Sequence, residues 1–258
     1  MNAHSVGQRL AVLVYGVVSY AIFFATFCYA AGFIGDFLVP KSIDSPPSTS
    51  LATALMVNTA LLGLFALQHS IMARQFFKRW LTRFVPQAAE RSTYTLMSSL
   101  ALILLFWKWQ PMGGVVWHVD HPLGRIALYG GFAFGWTLVL VSTFLINHFD
   151  LFGLRQVWKN FQGLPYTALK FATPGPYRIV RHPLYVGWFF AFWCIPHMTA
   201  AHLFFALMTT AYIIVAIQFE ERDLAVLHPE YTDYKSRTPM LVPRFPPAAA
   251  DRDVGRST

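Results

Sequence analysis

The feature that most constrains this chain is where its charges are missing. Five stretches contain no Asp, Glu, Lys or Arg: Leu10 to Gly35, Ser45 to Ala73, Ser92 to Trp107, Ile126 to Phe149 and His182 to Phe219. They run to 26, 29, 16, 24 and 38 residues. A hydrocarbon core about 30 Å thick takes roughly 20 helical residues to cross, so the first, second and fourth are long enough and the third is short. Only 12% of the residues are charged and 55% are hydrophobic, against roughly 25% charged in soluble domains. So few charges cannot clothe a soluble surface of this size. That excludes an ordinary cytosolic enzyme, a disordered chain and a charged coiled coil. The fold class is all-α integral membrane protein.

The fifth stretch is nearly twice the membrane thickness. Pro196 sits near its middle and removes a helical hydrogen bond. The spacing therefore predicts a C-terminal helical hairpin: a short helix from about Leu184 to Ile195, then a longer one from about Thr199 to Phe219. The total is about five to six transmembrane helices. The first stretch has no basic cluster before it and no small-residue cleavage site, so it reads as a retained helix, not a signal peptide. The chain divides into N-terminal helices over residues 1–125, a core over 126–245, and a polar tail, 246–258, expected to be disordered. The core comprises the fourth stretch, a long loop, the hairpin and the segment after it.

Assigning loops to alternate sides puts seventeen of the twenty Lys and Arg side chains on one face, leaving Lys41, Lys108 and Arg125 on the other. By the positive-inside rule the basic face, with both termini, is cytoplasmic. The same asymmetry explains the net charge of +8 without nucleic acid, because these side chains meet anionic lipid head groups. Cys28 and Cys194 each lie in an apolar run. They read as small buried hydrophobes, not as a disulfide framework or zinc ligands.

The unusual polar residues gather between Asn147 and Pro243. The loop before the hairpin carries TPGPYRIVRHPLYVGW, in which Pro174, Pro176 and Pro183 with Gly175 fix a turn leading into a helix. Pro183 suits the first helical position, and the amides there lack helical partners and can meet a polar ligand. After the hairpin comes QFEERDLAVLHPEYTDYKSRTPMLVP, with Glu220 and Glu221 where the last helix is expected to leave the membrane. Paired carboxylates at that depth need a cation or donors. A ligand carrying an amine and a ribose diol supplies them, and so do Arg178 and Arg181 alone. The residues by themselves leave both open.

RHPLYVG, the hairpin, the Glu-Glu pair and HPEYTDYKSRTPMLVP together resemble the isoprenylcysteine carboxyl methyltransferase and phospholipid methyltransferase superfamily, over about a quarter of the chain. LQHSIMARQFFKRWLTRFVP, ERSTYTLMSSLALILLFWKWQPM and INHFDLFGLRQVW look like the bacterial methanethiol S-methyltransferases, a match over most of the chain. The resemblance implies a membrane-embedded enzyme using S-adenosylmethionine and converting methanethiol to dimethyl sulfide, in the bacterial inner membrane. It implies a cofactor held on the cytoplasmic side by Tyr177, Arg181, His182, Pro183, Leu184 and Tyr185, with Glu220 and Glu221 on its amino or ribose groups. Tyr231 and Tyr234 from the tail would close over it. No glycine-rich dinucleotide fingerprint follows a strand; Gly130, Gly131 and Gly135 lie in an expected membrane helix.

Methyl transfer from a sulfonium is an in-line displacement that needs alignment and desolvation more than a metal. No metal is expected, and the partners are a small thiol and membrane lipids. An alkyl thiol must also lose its proton, because the thiolate is the nucleophile. His148 or Asp150 is the expected acceptor, with Arg178 or Arg181 assisting electrostatically. Against this, His148 and Asn147 can simply cap a helix, and Asp150 can pair with Arg155. Near the cytoplasmic end of the second stretch, His69 with Gln68 and Ser70 reads mainly as interhelical glue. Arg91, Ser92 and Tyr94 either face the site or anchor at head groups. His118, Asp120 and His121 have loose metal-ligand spacing but fall on the opposite face, as surface loop. Of Trp107, Trp109, Trp117, Trp136, Trp158, Trp188 and Trp193, most read as interfacial belts. The alternatives are methylation of a lipidic substrate, either a prenylcysteine carboxylate or a phospholipid amine, and a non-enzymatic NnrU-like membrane protein.

Overall fold

The computed structural model describes residues 5–244; the tail expected to be disordered lies outside them. Ser5 opens α1 (Val6–Gly35) with a capping box: its side chain accepts from the Gln8 amide while the Gln8 side chain reaches back. Ser50 caps α2 (Leu51–Ala73). A short α3 (Gln75–Leu81) precedes α4 (Glu90–Lys108), and strand β1 (Val115–His118) follows. Pro122, pre-set for a helix start, opens α5 (Pro122–Leu145). The long loop folds into α6 (His148–Leu151), α7 (Leu154–Phe161) and a 3-10 turn at Gly175–Arg178. Then come α8 (Pro183–Trp193), β2 (His197–Thr199), α9 (Ala200–Leu227) and α10 (Glu230–Arg237).

Among the described residues, α1, α2, α5 and α9 are long and apolar enough to cross a membrane. α4 is 19 residues long, with Glu90 and Arg91 at one end and Lys108 at the other. α8, at 11 residues, rises only about 16 Å, half of a hydrocarbon core. The chain is an all-helical integral membrane protein apart from one pair of strands.

That pair completes the hairpin. α8 stops just before Pro196, as the spacing predicts. β2 then lies antiparallel to β1, with Val115 opposite Thr199 and His118 opposite His197. The Val119 amide donates to the Pro196 carbonyl at 2.9 Å, and the Trp117 indole donates to Ile195 at 3.0 Å. A helix ending inside apolar surroundings leaves carbonyls without donors. Here β1 and its neighbours supply them, so the half-length helix is tolerated.

Close packing seats α8 on α5. A Cβ built at Gly135 would sit 2.5 Å from the Ala191 nitrogen, and one at Gly187 would sit 2.8 Å from the Gly135 oxygen. The two backbones touch because neither helix has a side chain there, the small-residue packing usual in membranes. Elsewhere α4 lies between α1 and α2, α7 runs along α1, and α9 bridges α8 and α2. Phe33, Phe106, Trp109, Phe192 and Phe205 fill the end near the strands.

Three expectations change. Trp109 and Trp136 are core residues, at 0% and 9% exposure, Trp109 packed on Phe33 and Phe205 and Trp136 on Phe27 and Trp188. Trp107 and Trp158 do lie at the surface. Cys28 faces outward from α1, while Cys194 packs over Gly131. The last helix also runs beyond Phe219 to Leu227, held by an Arg74–Asp223 ion pair of 2.9 Å between α2 and α9. Glu220 and Glu221 thus stand inside a helix, about two turns before its end.

Candidate active site

The segment entering α8 is fastened to the segment leaving α10. The Arg181 amide donates to the Pro239 carbonyl at 2.9 Å and the His182 amide to Met240 at 3.2 Å. These two amides are therefore taken by the chain itself. The Arg181 guanidinium reaches the Lys235 and Thr238 carbonyls as well. Pro183 is buried at the first position of α8, and Leu184 follows, partly covered, on the same turn.

Glu221 lies at the centre of this fastening. Its carboxylate accepts from Arg181 Nε at 2.7 Å and Lys235 Nζ at 2.8 Å, and meets His182 Nε2 at 3.0 Å. The side chain is 4% exposed. A buried carboxylate with three charged or polar partners is committed to holding α8, α9 and α10 together.

Glu220, one residue earlier, is differently placed. It accepts from the Tyr185 hydroxyl at 2.8 Å, His182 Nδ1 is 4.0 Å away, and 44% of its side chain is exposed. An ionised carboxylate has about four acceptor positions. This one keeps most of them open toward the basic end of the molecule.

Aromatic side chains enclose the same region. Phe171, from the long loop, packs on Tyr231, Tyr234 and His228, with ring centroids 5.5 to 5.9 Å apart. The Tyr234 hydroxyl donates to the Tyr177 carbonyl, and burial pushes its pKa up to about 12. Burial likewise raises Tyr177 and Tyr231. Tyr231 is 1% exposed. Its hydroxyl lies against Glu221 yet makes no hydrogen bond of normal geometry. A buried hydroxyl without a partner of normal geometry is costly and is open to a further hydrogen bond.

The structure thus brings together Tyr177, Arg181, His182, Pro183, Leu184, Tyr185, Glu220, Glu221, Tyr231 and Tyr234. His148 and Asp150 form a separate group. His148 is buried between Tyr20 and Thr143, whose hydroxyls lie 2.8 Å from its two ring nitrogens, and it stacks on Phe144. Burial lowers its pKa. Asp150 takes Arg155 at 2.7 Å, Arg91 at 3.4 Å and the Tyr166 hydroxyl at 3.2 Å, tying α6 to α4 and α7. No hydrogen bond among the described residues joins this group to the Arg181–Glu221 cluster. Arg178 is exposed on the 3-10 turn.

Tyr212, which sequence reasoning passed over, lies on α9 about two turns before Glu220, its hydroxyl 3.1 Å from that of Ser70 on α2. Its only sequence signal was a phenol in an otherwise apolar helix. His118 Nε2 lies 2.8 Å from the Asp120 carboxylate by the strands, at the opposite end from these groups.

The assembled site offers an open carboxylate, an unpartnered phenol and several flat rings. It suits a ligand with a cationic amine or diol and an aromatic ring. No family model matches the sequence, and no solved structure matches it. The methanethiol S-methyltransferase of Crocosphaera subtropica is 58% identical over 237 residues, covering 92% of this chain and 93% of that protein. The methanethiol S-methyltransferase of Mycobacterium tuberculosis is 52% identical, covering 92% and 97%. More distantly, mouse Nurim is 29% identical over 190 residues, covering 69% and 71%. On the strength of these relatives, this chain belongs to the methanethiol S-methyltransferase family.

Proposed function

We propose that the protein transfers the methyl group of S-adenosylmethionine to methanethiol, forming dimethyl sulfide, within residues 126–245 at the basic end of the bundle. The observation that carries this reading is the contrast between Glu220, with open acceptor positions, and the orphaned Tyr231 hydroxyl, within one fastened cluster. The residues fit the cofactor. Glu220 would hold its amino group or ribose hydroxyls, the Tyr231 hydroxyl would meet a polar group, and Tyr177 and Tyr185 would flank its ring. When bound, S-adenosylmethionine supplies an electrophilic methyl group and a thioether leaving group.

The chain's own contribution is alignment and exclusion of water. The Arg181–Glu221–Lys235 fastening fixes α10 over the site, and the Phe171 cluster covers it from the loop side. Collapse of the sulfonium charge in the transition state is favoured where water is scarce. Asp150, fully engaged with Arg91 and Arg155, is assigned to holding the long loop in place. His148 shares that work. Both termini face the cytoplasm of a bacterial inner membrane in this reading, with the basic end at the anionic head groups.

The test is turnover and binding by the purified full-length protein in detergent. Dimethyl sulfide from S-adenosylmethionine and methanethiol, with S-adenosylhomocysteine bound in calorimetry, supports the reading. Binding without dimethyl sulfide removes the thiol and points to a lipidic acceptor; no binding removes the methyltransferase.

A further inference from the structure

A partly buried polar chain lies at the same end of the bundle as the proposed site, and the contacts described so far leave it without a role. The Tyr94 hydroxyl on α4 is 2.9 Å from His69 Nε2 and 3.1 Å from Nδ1 on α2. His69 Nδ1 is 3.2 Å from the Ser98 hydroxyl, which also accepts from Gln68 Nε2 at 3.3 Å. Phe65 stacks on the imidazole at 5.2 Å. Ionisable side chains inside a membrane helix are costly to keep and mark functional sites by default.

Depth and direction connect this chain to the site. The Arg74–Asp223 ion pair sets α2 and α9 level with one another. From it, Glu220 lies roughly one turn inward on α9, and His69 one to two turns inward on α2. Tyr94 is about one turn inside the start of α4, on the same end of the bundle. Tyr94 touches the His69 imidazole and lies within electrostatic range of Tyr212 and Glu220 on α9 and of Glu90 on its own helix. Tyr185, on α8, lies within electrostatic reach of Tyr94 and hydrogen-bonds Glu220. The Ser70 hydroxyl on α2 lies 3.1 Å from the Tyr212 hydroxyl on α9, so the turn of α2 that carries His69, which Tyr94 touches, packs against the helix that carries Glu220.

We propose that Tyr94 and His69 form the relay that accepts the methanethiol proton, with Tyr94 as the group touching the thiol and His69 as the positioning residue behind it. This rests on the methanethiol reading above. With Nδ1–H directed at Ser98, the Nε2 lone pair is free to receive the Tyr94 proton. As the thiol S–H bond breaks, its proton passes to the Tyr94 oxygen while the Tyr94 proton passes to His69 Nε2. The sulfur electron pair forms the new S–C bond, and the C–S bond of the sulfonium donor breaks with its pair left on the donor sulfur. The proton then returns by the same hydroxyl to solvent on the side where Glu220 is exposed. Ser98 and Gln68 fix the ring, as outer partners fix catalytic histidines elsewhere.

The experiment compares Tyr94→Phe and His69→Gln with wild type as full-length proteins, following dimethyl sulfide between about pH 7 and about pH 10, where an alkyl thiol increasingly ionises unaided. Affinity for S-adenosylhomocysteine is measured on the same samples by calorimetry. The relay predicts roughly 100-fold slower turnover for Tyr94→Phe near pH 7, the lower range for lost acid–base assistance. It predicts progressive recovery toward wild type as pH rises, with unchanged affinity. His69→Gln should follow the same pH pattern. Unchanged turnover, a loss equal at every pH, or a loss of affinity overturns the proposal in favour of interhelical packing. Wild type that binds S-adenosylhomocysteine but forms no dimethyl sulfide overturns the methanethiol reading, and the relay with it.

Discussion

Glu220 and Glu221 share a motif, but the three donors on Glu221 separate their roles. Replacing Glu221 by Ala leaves Arg181 and Lys235 facing each other without a counter-charge. It should cost about 3 kcal/mol of stability, read as a lower melting temperature and faster proteolysis of the segment after α9. Replacing Glu220 by Gln should leave melting unchanged and weaken S-adenosylhomocysteine binding about 10- to 100-fold, the worth of a hydrogen bond to a charged group. Sequence showed the pair and its cost but not this division, because Arg181 and Lys235 reach Glu221 from distant parts of the chain. A third residue gives a pH prediction. Burial holds the folded-state pKa of His148 below its unfolded value of about 6.5. Neutral His148 therefore stabilises the fold above that pH, and the contribution is lost as pH falls through it. Wild type should lose melting temperature between about pH 7 and about pH 5, and His148→Gln should lose less over the same range.

Elements carry the site through their lengths and contacts. Seated on α5 through Gly135 and Gly187, α8 places His182 and Tyr185 against Glu221 and Glu220. Gly187→Val pushes a branched side chain into the α5 backbone, an overpacking that costs about 1–3 kcal/mol. It should reduce melting temperature and S-adenosylhomocysteine affinity together, although residue 187 lies outside the ligand-facing cluster. The hairpin was legible because Pro196 interrupts a stretch too long for one helix. The β1–β2 pair was not, because three or four residues carry no period-two signal and the partners lie far apart in the chain. α6 and α7 were equally hidden: a four-residue and an eight-residue helix within a polar loop take their form from Asp150, whose partners sequence could offer only as alternatives.

For the whole molecule, charge distribution is the readable quantity. Basic residues at one end, with Glu220 among them, and rings packed behind the strands at the other give the bundle two unlike ends. A fluorescent protein fused to the C-terminus should be bright in bacterial cells, and an alkaline phosphatase fusion there should be inactive; the reverse pattern would invert the orientation. The helices and the gathering of the Arg181–Glu221 cluster were legible because long uncharged runs and a dense motif survive without knowledge of packing. The proton path was not, because Tyr94 and His69 meet only when α2 and α4 pack side by side. The most direct measurement uses S-adenosylmethionine with a deuterated methyl group, unlabelled methanethiol and purified protein, with headspace mass spectrometry. The account predicts dimethyl sulfide carrying one labelled and one unlabelled methyl group, at a rate that falls in Glu220→Gln. Dimethyl sulfide without label, or none from protein that binds S-adenosylhomocysteine, would contradict it.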